Sequence, residues 1–361
     1  HYSDDSGVKG VTVGTTCRTE ASLIMMTELH NRGMCSARRC NAASRFGVAP
    51  LTILVAWFSL SVGPARAQYP PVASGGSDKA IKVYSSAGVE TFSILAHEGP
   101  VNAILFSSDG RRIISGGADG TVKVWNVDDG SLENTFDAHQ GAVLALALRD
   151  DGKILASGGA DGKIKLWSYE KGKLLCTIVA HTRPVRALAW SPDGKMLASG
   201  GDDRVIQVWR EDGSQVASIV GHDEAIAGLV WTKDGKSLIS GAADGFVKVW
   251  TAGDFALASR HRTSDKSLAA LVGTVDGQLL ATAGPDGRIR IYTVTGTGIS
   301  ELVSKLLERQ VLCMAWSRDG KILVTGGADR SLRYWQGSDL SVLLRVSAHE
   351  GNITAVAVGP N

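Results

Sequence analysis

Cysteine is scarce in this chain and poorly placed for cross-linking. Of its five cysteines, Cys17, Cys35 and Cys40 lie within the first 67 residues. Cys176 and Cys313 fall in different units of the repeat described below. A disulfide between them is not expected, and both read as buried free thiols on apolar strands. The motif C-x-x-C-H is absent, which excludes a covalently attached c-type haem. An excess of charge of one sign is also missing. Lys and Arg number 38 against 36 Asp and Glu, a net charge of +2, so composition gives no support to nucleic-acid binding. Residues 51–62 form an apolar run of 12 residues, short of the ~20 that a membrane-spanning helix needs. Beyond residue 68 no helical periodicity interrupts the pattern.

The first 67 residues differ from the rest. Arg38, Arg39 and Arg45 follow Met34, no acidic residue stands between Glu28 and Asp78, and the apolar run leads to Pro64-Ala65-Arg66-Ala67. That order is the one a secretory signal peptide shows, with cleavage expected after Ala67. Residues 1–33 then read as an upstream segment, 34–67 as the signal peptide and 68–361 as the folded domain. The expected setting is periplasmic or secreted, with no stable membrane insertion after cleavage; a cytoplasmic setting is the alternative.

After residue 68 the chain repeats itself. The segments SGGADGTVKVW, SGGADGKIKLW, SGGDDRVIQVW, SGAADGFVKVW and TGGADRSLRYW are one unit, with weaker copies ending at Tyr84 and Tyr292. Tyr84, Trp125, Trp167, Trp209, Trp250, Tyr292 and Trp335 stand 41–43 residues apart. Short β-branched runs such as VRALAW alternate with Asp-Gly pairs, from Asp109-Gly110 to Asp319-Gly320, which suit tight hairpin turns. A unit of this length holds four short strands, one blade of a propeller.

The repeat resembles the WD-repeat family over essentially all of residues 68–361, and the signal segment suggests an exported bacterial member. The resemblance rests on a histidine, a serine, an aspartate and a tryptophan at fixed spacing. These are His97, Ser115, Asp119 and Trp125; His139, Ser157, Asp161 and Trp167; His181, Ser199, Asp203 and Trp209; and His222, Ser240, Asp244 and Trp250. The aspartate that gives the family its second letter is missing, because Asn126, Ser168, Arg210 and Thr251 follow the tryptophans. The chain ends on half a unit and the domain begins with the other half, so His349 should join Ser74, Asp78 and Tyr84 in one blade. The resulting expectation is an all-β, seven-bladed β-propeller with four antiparallel strands per blade, closed by a C-terminal first strand.

The resemblance implies that these residues form a structural hydrogen-bonded relay. A hydrolase triad is disfavoured because the set recurs in five blades, whereas catalysis needs one activated nucleophile. Neither a metal site nor a cofactor is expected, since successive blades separate the histidines. Trp190, Trp231 and Trp316, with Phe106 and Leu148 as equivalents, read as packing between blades. Units six and seven carry Ser264 and Leu307 where the histidine belongs, and His261 is a candidate displaced substitute. Pro285 breaks a glycine-rich turn, and residues 295–310 read as an altered connection.

Partner contacts are expected on the loops before each first strand, at Glu98, Gln140, Arg183, Arg186, Asp223, Glu224, Lys266, Arg309 and Glu350. Their mixed signs favour neither polyanions nor acidic substrates. The leading reading is a monomeric, non-enzymatic scaffold that binds proteins and no nucleic acid. The alternatives are a propeller enzyme or redox accessory subunit holding a small molecule in the central opening, and an intracellular eukaryotic member.

Overall fold

The computed structural model describes residues 69–264 and 266–360. The expected upstream segment, signal peptide and cleavage site lie outside the described residues. Among the described residues the secondary structure is strand and turn throughout, arranged as seven separate four-stranded antiparallel sheets. In blades two to seven the strands run in chain order. Blade two has Val101–Phe106, Arg112–Gly117, Thr121–Asn126 and Leu132–Asp137, from its innermost strand to its outermost. Blade one is built from both ends of the domain, with Ile353–Val358 innermost and then Val72–Gly76, Ala80–Tyr84 and Glu90–Leu95. This is the expected closure, with Ser74 directly opposite Val356. It pairs a strand edge that would otherwise stay exposed.

Local chemistry explains the hairpins. Gly110, Gly152, Gly194, Gly235, Gly277 and Gly320 all have φ between 67° and 71°, a conformation that is nearly free for glycine and strained for other residues. The preceding aspartate fixes the turn from the other side. Asp109, for example, accepts from the Ser107 hydroxyl at 2.6 Å and from the Arg111 amide at 3.1 Å.

Burial falls off outward. The second strands are almost wholly buried, while the outermost are largely exposed. The apolar core is divided into seven clusters, each shared by two neighbouring blades. One joins Ile81 and Ala355 of blade one to Ile113 and Trp125 of blade two. Another joins Tyr84 of blade one to Leu332 and Tyr334 of blade seven. Each fully buried aliphatic side chain contributes about 1.5–3 kcal/mol by leaving water, so the ring is held mainly by blade-to-blade packing. The tryptophan expectation fits this picture. Trp190 donates its indole N–H to the Ala147 carbonyl at 3.3 Å, and Trp231 to that of Ala189 at 3.1 Å, each reaching into the preceding blade.

Two expectations need correction. Residues 295–310 are not mainly a connection. They include a nine-residue outermost strand, Gly298–Leu306, joined by a tight turn to an eight-residue third strand, Arg288–Thr295. Cys313 is a buried free thiol as expected, and burial pushes it up to about 12. Cys176 is free but only half-buried. It lines a groove of about 830 Å³ with Leu175, Met196 and Val216.

Candidate functional site: a buried relay beneath an exposed rim

Four blades carry the same four-residue chain of hydrogen bonds. In blade two the Trp125 indole N–H donates to Ser115 Oγ at 2.9 Å, Ser115 Oγ meets His97 Nε2 at 2.8 Å, and His97 Nδ1 meets Asp119 at 3.0 Å. Blades three, four and five repeat it through Trp167, Ser157, His139 and Asp161, then Trp209, Ser199, His181 and Asp203, then Trp250, Ser240, His222 and Asp244. Because Nδ1 faces a carboxylate that can only accept, it carries the N–H of the neutral ring, which leaves Nε2 to accept a hydrogen bond from the serine hydroxyl while that oxygen accepts from the indole N–H. The relay therefore selects one neutral tautomer. In blade one, His349 meets Ser74 at 2.8 Å and Asp78 at 3.0 Å. There Tyr84 stands in place of the tryptophan, and its buried hydroxyl makes no hydrogen bond.

Electrostatics agree with this assignment. All five relay histidines are held below their ordinary value, first by burial, which the adjacent aspartate opposes without cancelling. At Asp119, burial alone would raise the carboxyl. The Glu98 amide and the Thr121 hydroxyl and amide outweigh it and bring the group down to about 2. The five relay serines are completely buried, so none presents a nucleophile to a substrate.

Glycine is needed beside the imidazole. A Cβ on Gly117 would sit 2.3 Å from His97 Nδ1, so the ring packs directly against the backbone.

The sixth and seventh blades solve the missing histidine differently. His261 is not a displaced substitute. It lies on the outermost strand of blade five, opposite Val247. Asp286 is held by the Ser264 hydroxyl at 3.1 Å and by an ion pair with Arg290 at 2.9 Å. Asp329 pairs with Arg333. Both arginines stand four residues after the aspartate, where the complete blades carry lysine or glutamine. There Lys123 and Gln207 donate to the carbonyl just before the histidine, at 2.8 Å to Ala96 and 2.7 Å to Ala180. Arginine in place of Lys or Gln is the trace that this exchange leaves in the sequence.

The relay also fixes the rim. Its aspartates accept from the backbone amides of Glu98, Gln140, Asp223 and Glu350. The nine expected rim residues are all exposed. Their side chains carry no ion pair among the described residues, except for Arg186. Three further rim cations were missed. Lys79, Arg204 and Arg330 have φ of 71°, 71° and 62°, at a turn position that Gly120, Gly162, Gly245 and Gly287 fill elsewhere. A non-glycine residue in this conformation costs about 1–2 kcal/mol.

Inside the rim lies the central opening. In six blades the innermost strand bulges by one residue, at Asn102, Leu144, Arg186, Ala227, Leu312 and Thr354. The extra residue of a bulge escapes the ladder and re-aims its side chain. All six line one cavity of about 510 Å³, together with Leu268 and Ala269 of the remaining blade. Arg186 therefore belongs to the opening. It forms a two-pronged pair with Asp202, at 2.9 and 3.0 Å. Among the described residues, no group of three or more His, Cys, Asp or Glu side chains is arranged to hold a metal.

A closed ring of seven four-stranded blades, five of them pinned by an Asp–His–Ser relay, defines a WD-repeat β-propeller. Residues 100–361 match the family model of the IFT122 first beta-propeller, and the chain belongs to that family. Shorter similarities extend to other WD-repeat proteins. It is 31% identical over 64 residues to the U5 small nuclear ribonucleoprotein 40 kDa protein of Dictyostelium discoideum, covering 18% of each chain. It is 37% identical over 75 residues to the small ribosomal subunit protein RACK1 of Neurospora crassa, covering 20% of this chain and 23% of that one. Against DDB1- and CUL4-associated factor 13 of D. discoideum it is 38% identical over 58 residues, covering 16% and 13%. The chain thus spans less than a quarter of the length of the curated relatives it matches.

Proposed function

We propose that this protein is a non-enzymatic interaction scaffold that presents its rim and central opening to a protein partner. The observation that carries the reading is the pairing of a locked backbone with unengaged side chains. Amides of Glu98, Gln140, Asp223 and Glu350 are tied to partly buried carboxylates, while the exposed side chains of Arg183, Lys266, Arg309 and Glu350 hold no ion pair among the described residues. A preorganised surface loses little conformational freedom on binding, which favours affinity. WD-repeat relatives are typically protein-interaction scaffolds, and three of them are by name part of a ribonucleoprotein, part of a ribosomal subunit and an associate of DDB1 and CUL4. An exported setting is part of the proposal and rests on the apolar run 51–62 followed by Pro64-Ala65-Arg66-Ala67.

The test is quantitative affinity capture from fractionated cells, with N-terminal sequencing of the mature chain. A partner held by wild type should bind about tenfold more weakly to the Arg183→Glu, Lys266→Glu and Arg309→Glu variants, a loss of ~1.4 kcal/mol. Unchanged binding after reversal of all three would remove the rim from the proposal. A mature N-terminus ahead of residue 60 would remove cleavage at Ala67.

A further inference from the structure

We infer that the ring opens first at blade six, not at blade one, where the two ends of the domain meet without covalent continuity. Blade one is heavily fastened. His349 bridges Ser74 and Asp78, and the Glu350 amide donates to Asp78. The Ser77 amide donates to the Asn352 carbonyl, the Asn352 amide to Ser77 Oγ, and Thr354 Oγ1 to the Gly75 carbonyl at 3.1 Å.

Blade six has lost the corresponding links one after another. Ser264 replaces the histidine and reaches Asp286, yet Thr282 Oγ1 at the other end of the gap is fully buried and has no hydrogen-bond partner. The buried Tyr292 hydroxyl has no hydrogen-bond partner, as is also true of Tyr84 in blade one. The second lost link lies in the turn. In all six other blades the residue just before the relay-position aspartate donates its amide to the loop ahead of the innermost strand, at 2.8–3.1 Å. Blade six has Pro285 there, which carries no N–H.

Two further observations bear on the neighbouring seams. Trp190 and Trp231 latch onto the preceding blade, whereas the Trp316 indole, aimed from blade seven towards blade six, is buried with no partner. The apolar cluster between blades five and six is the smallest of the seven, and the innermost strand of blade six, Ala270–Gly273, is four residues long. What remains strong is the outer half of the blade. There Arg290 pairs with Asp286, and Ser259 of blade five bonds the Thr297 carbonyl. Opening therefore releases the inner strand and the loop bearing Lys266, and part of the rim leaves with them.

Hydrogen–deuterium exchange of the full chain, read by mass spectrometry, tests this directly. Amides of Ala270–Gly273 and Leu279–Ala283 should exchange about tenfold or more faster than those of Ile353–Val358 and Val72–Gly76, as local opening below the global barrier allows. Equal protection, or faster exchange in blade one, would overturn the inference. Ser264→His, which supplies an imidazole between Asp286 and Thr282, should slow exchange in blade six several-fold and leave blade one unchanged. If that variant does not fold, Pro285→Ala returns the missing donor and reads the same quantity. Exchange in blade six that responds to neither change would remove the lost links as its cause.

Discussion

His349 and Ser74 are 275 positions apart in the chain and 2.8 Å apart in space. Their hydrogen bond is the buried stitch that joins the last strand to the first, and it differs from its counterparts in one respect. Ser115 also receives the Trp125 indole, whereas Tyr84 makes no bond to Ser74. Ser115→Ala leaves two buried groups unpaired and Ser74→Ala leaves one. Each such group costs about 1–3 kcal/mol. Urea denaturation should therefore show Ser115→Ala to be the more damaging by about 1 kcal/mol or more.

Acid should weaken the ring in two stages. The five relay histidines are held below 6.5 in the fold, chiefly by burial. Just below pH 6.5 the unfolded chain therefore binds protons that the folded chain refuses, and stability falls as pH drops. Asp119 works lower down. Its stabilisation is complete above the unfolded value of 3.8 and is lost as pH falls towards about 2. Melting temperatures measured from pH 8 to pH 4 should decline from the histidine range downward. A flat profile between pH 7 and pH 5 would contradict the buried neutral relay.

The tryptophan latches predict a contrast at nearly constant chemistry. Trp231→Phe removes the bond to Ala189, worth about 1 kcal/mol, whereas Trp316→Phe removes a donor that had no partner. Both substitutions shrink the ring system equally. The Trp231 variant should be the less stable of the two by about 1 kcal/mol in chemical denaturation.

Arg204 offers a separation of stability from binding. Arg204→Gly relieves a strained backbone and should raise stability by about 0.5–1 kcal/mol, since glycine's own entropic cost offsets part of the gain. If the cation serves the rim, the same variant should bind its partner more weakly while melting higher. Loss of both properties would assign Arg204 a role in the fold.

The sequence carried the repeat, the closure and the relay because each depends on residue types recurring at one fixed interval. Ser74, Asp78 and His349 could be joined across the whole domain for that reason. It concealed whatever depends on displacement by a single residue. Leu144 and Ala227 look like ordinary members of an apolar strand, and only the register shift beside them reveals that they face the opening. The Arg290 and Arg333 pairings are hidden in the sequence because the compensating change lies four residues beyond the aspartate, well away from the absent histidine. His261 misled through proximity in sequence, since chain distance says nothing about which of two adjacent blades a residue belongs to.

The bulges also bear on how such a protein diversifies. A bulged residue is the one that the hydrogen-bond ladder leaves out, so exchanging Leu144, Ala227 or Leu312, whose apolar side chains hold no hydrogen bond, leaves the pairing of the innermost strand intact. The opening can thus be relined one blade at a time, by substitutions lying a full repeat apart, while selection on the fold registers little. Lineages that share this scaffold are free to choose different guests.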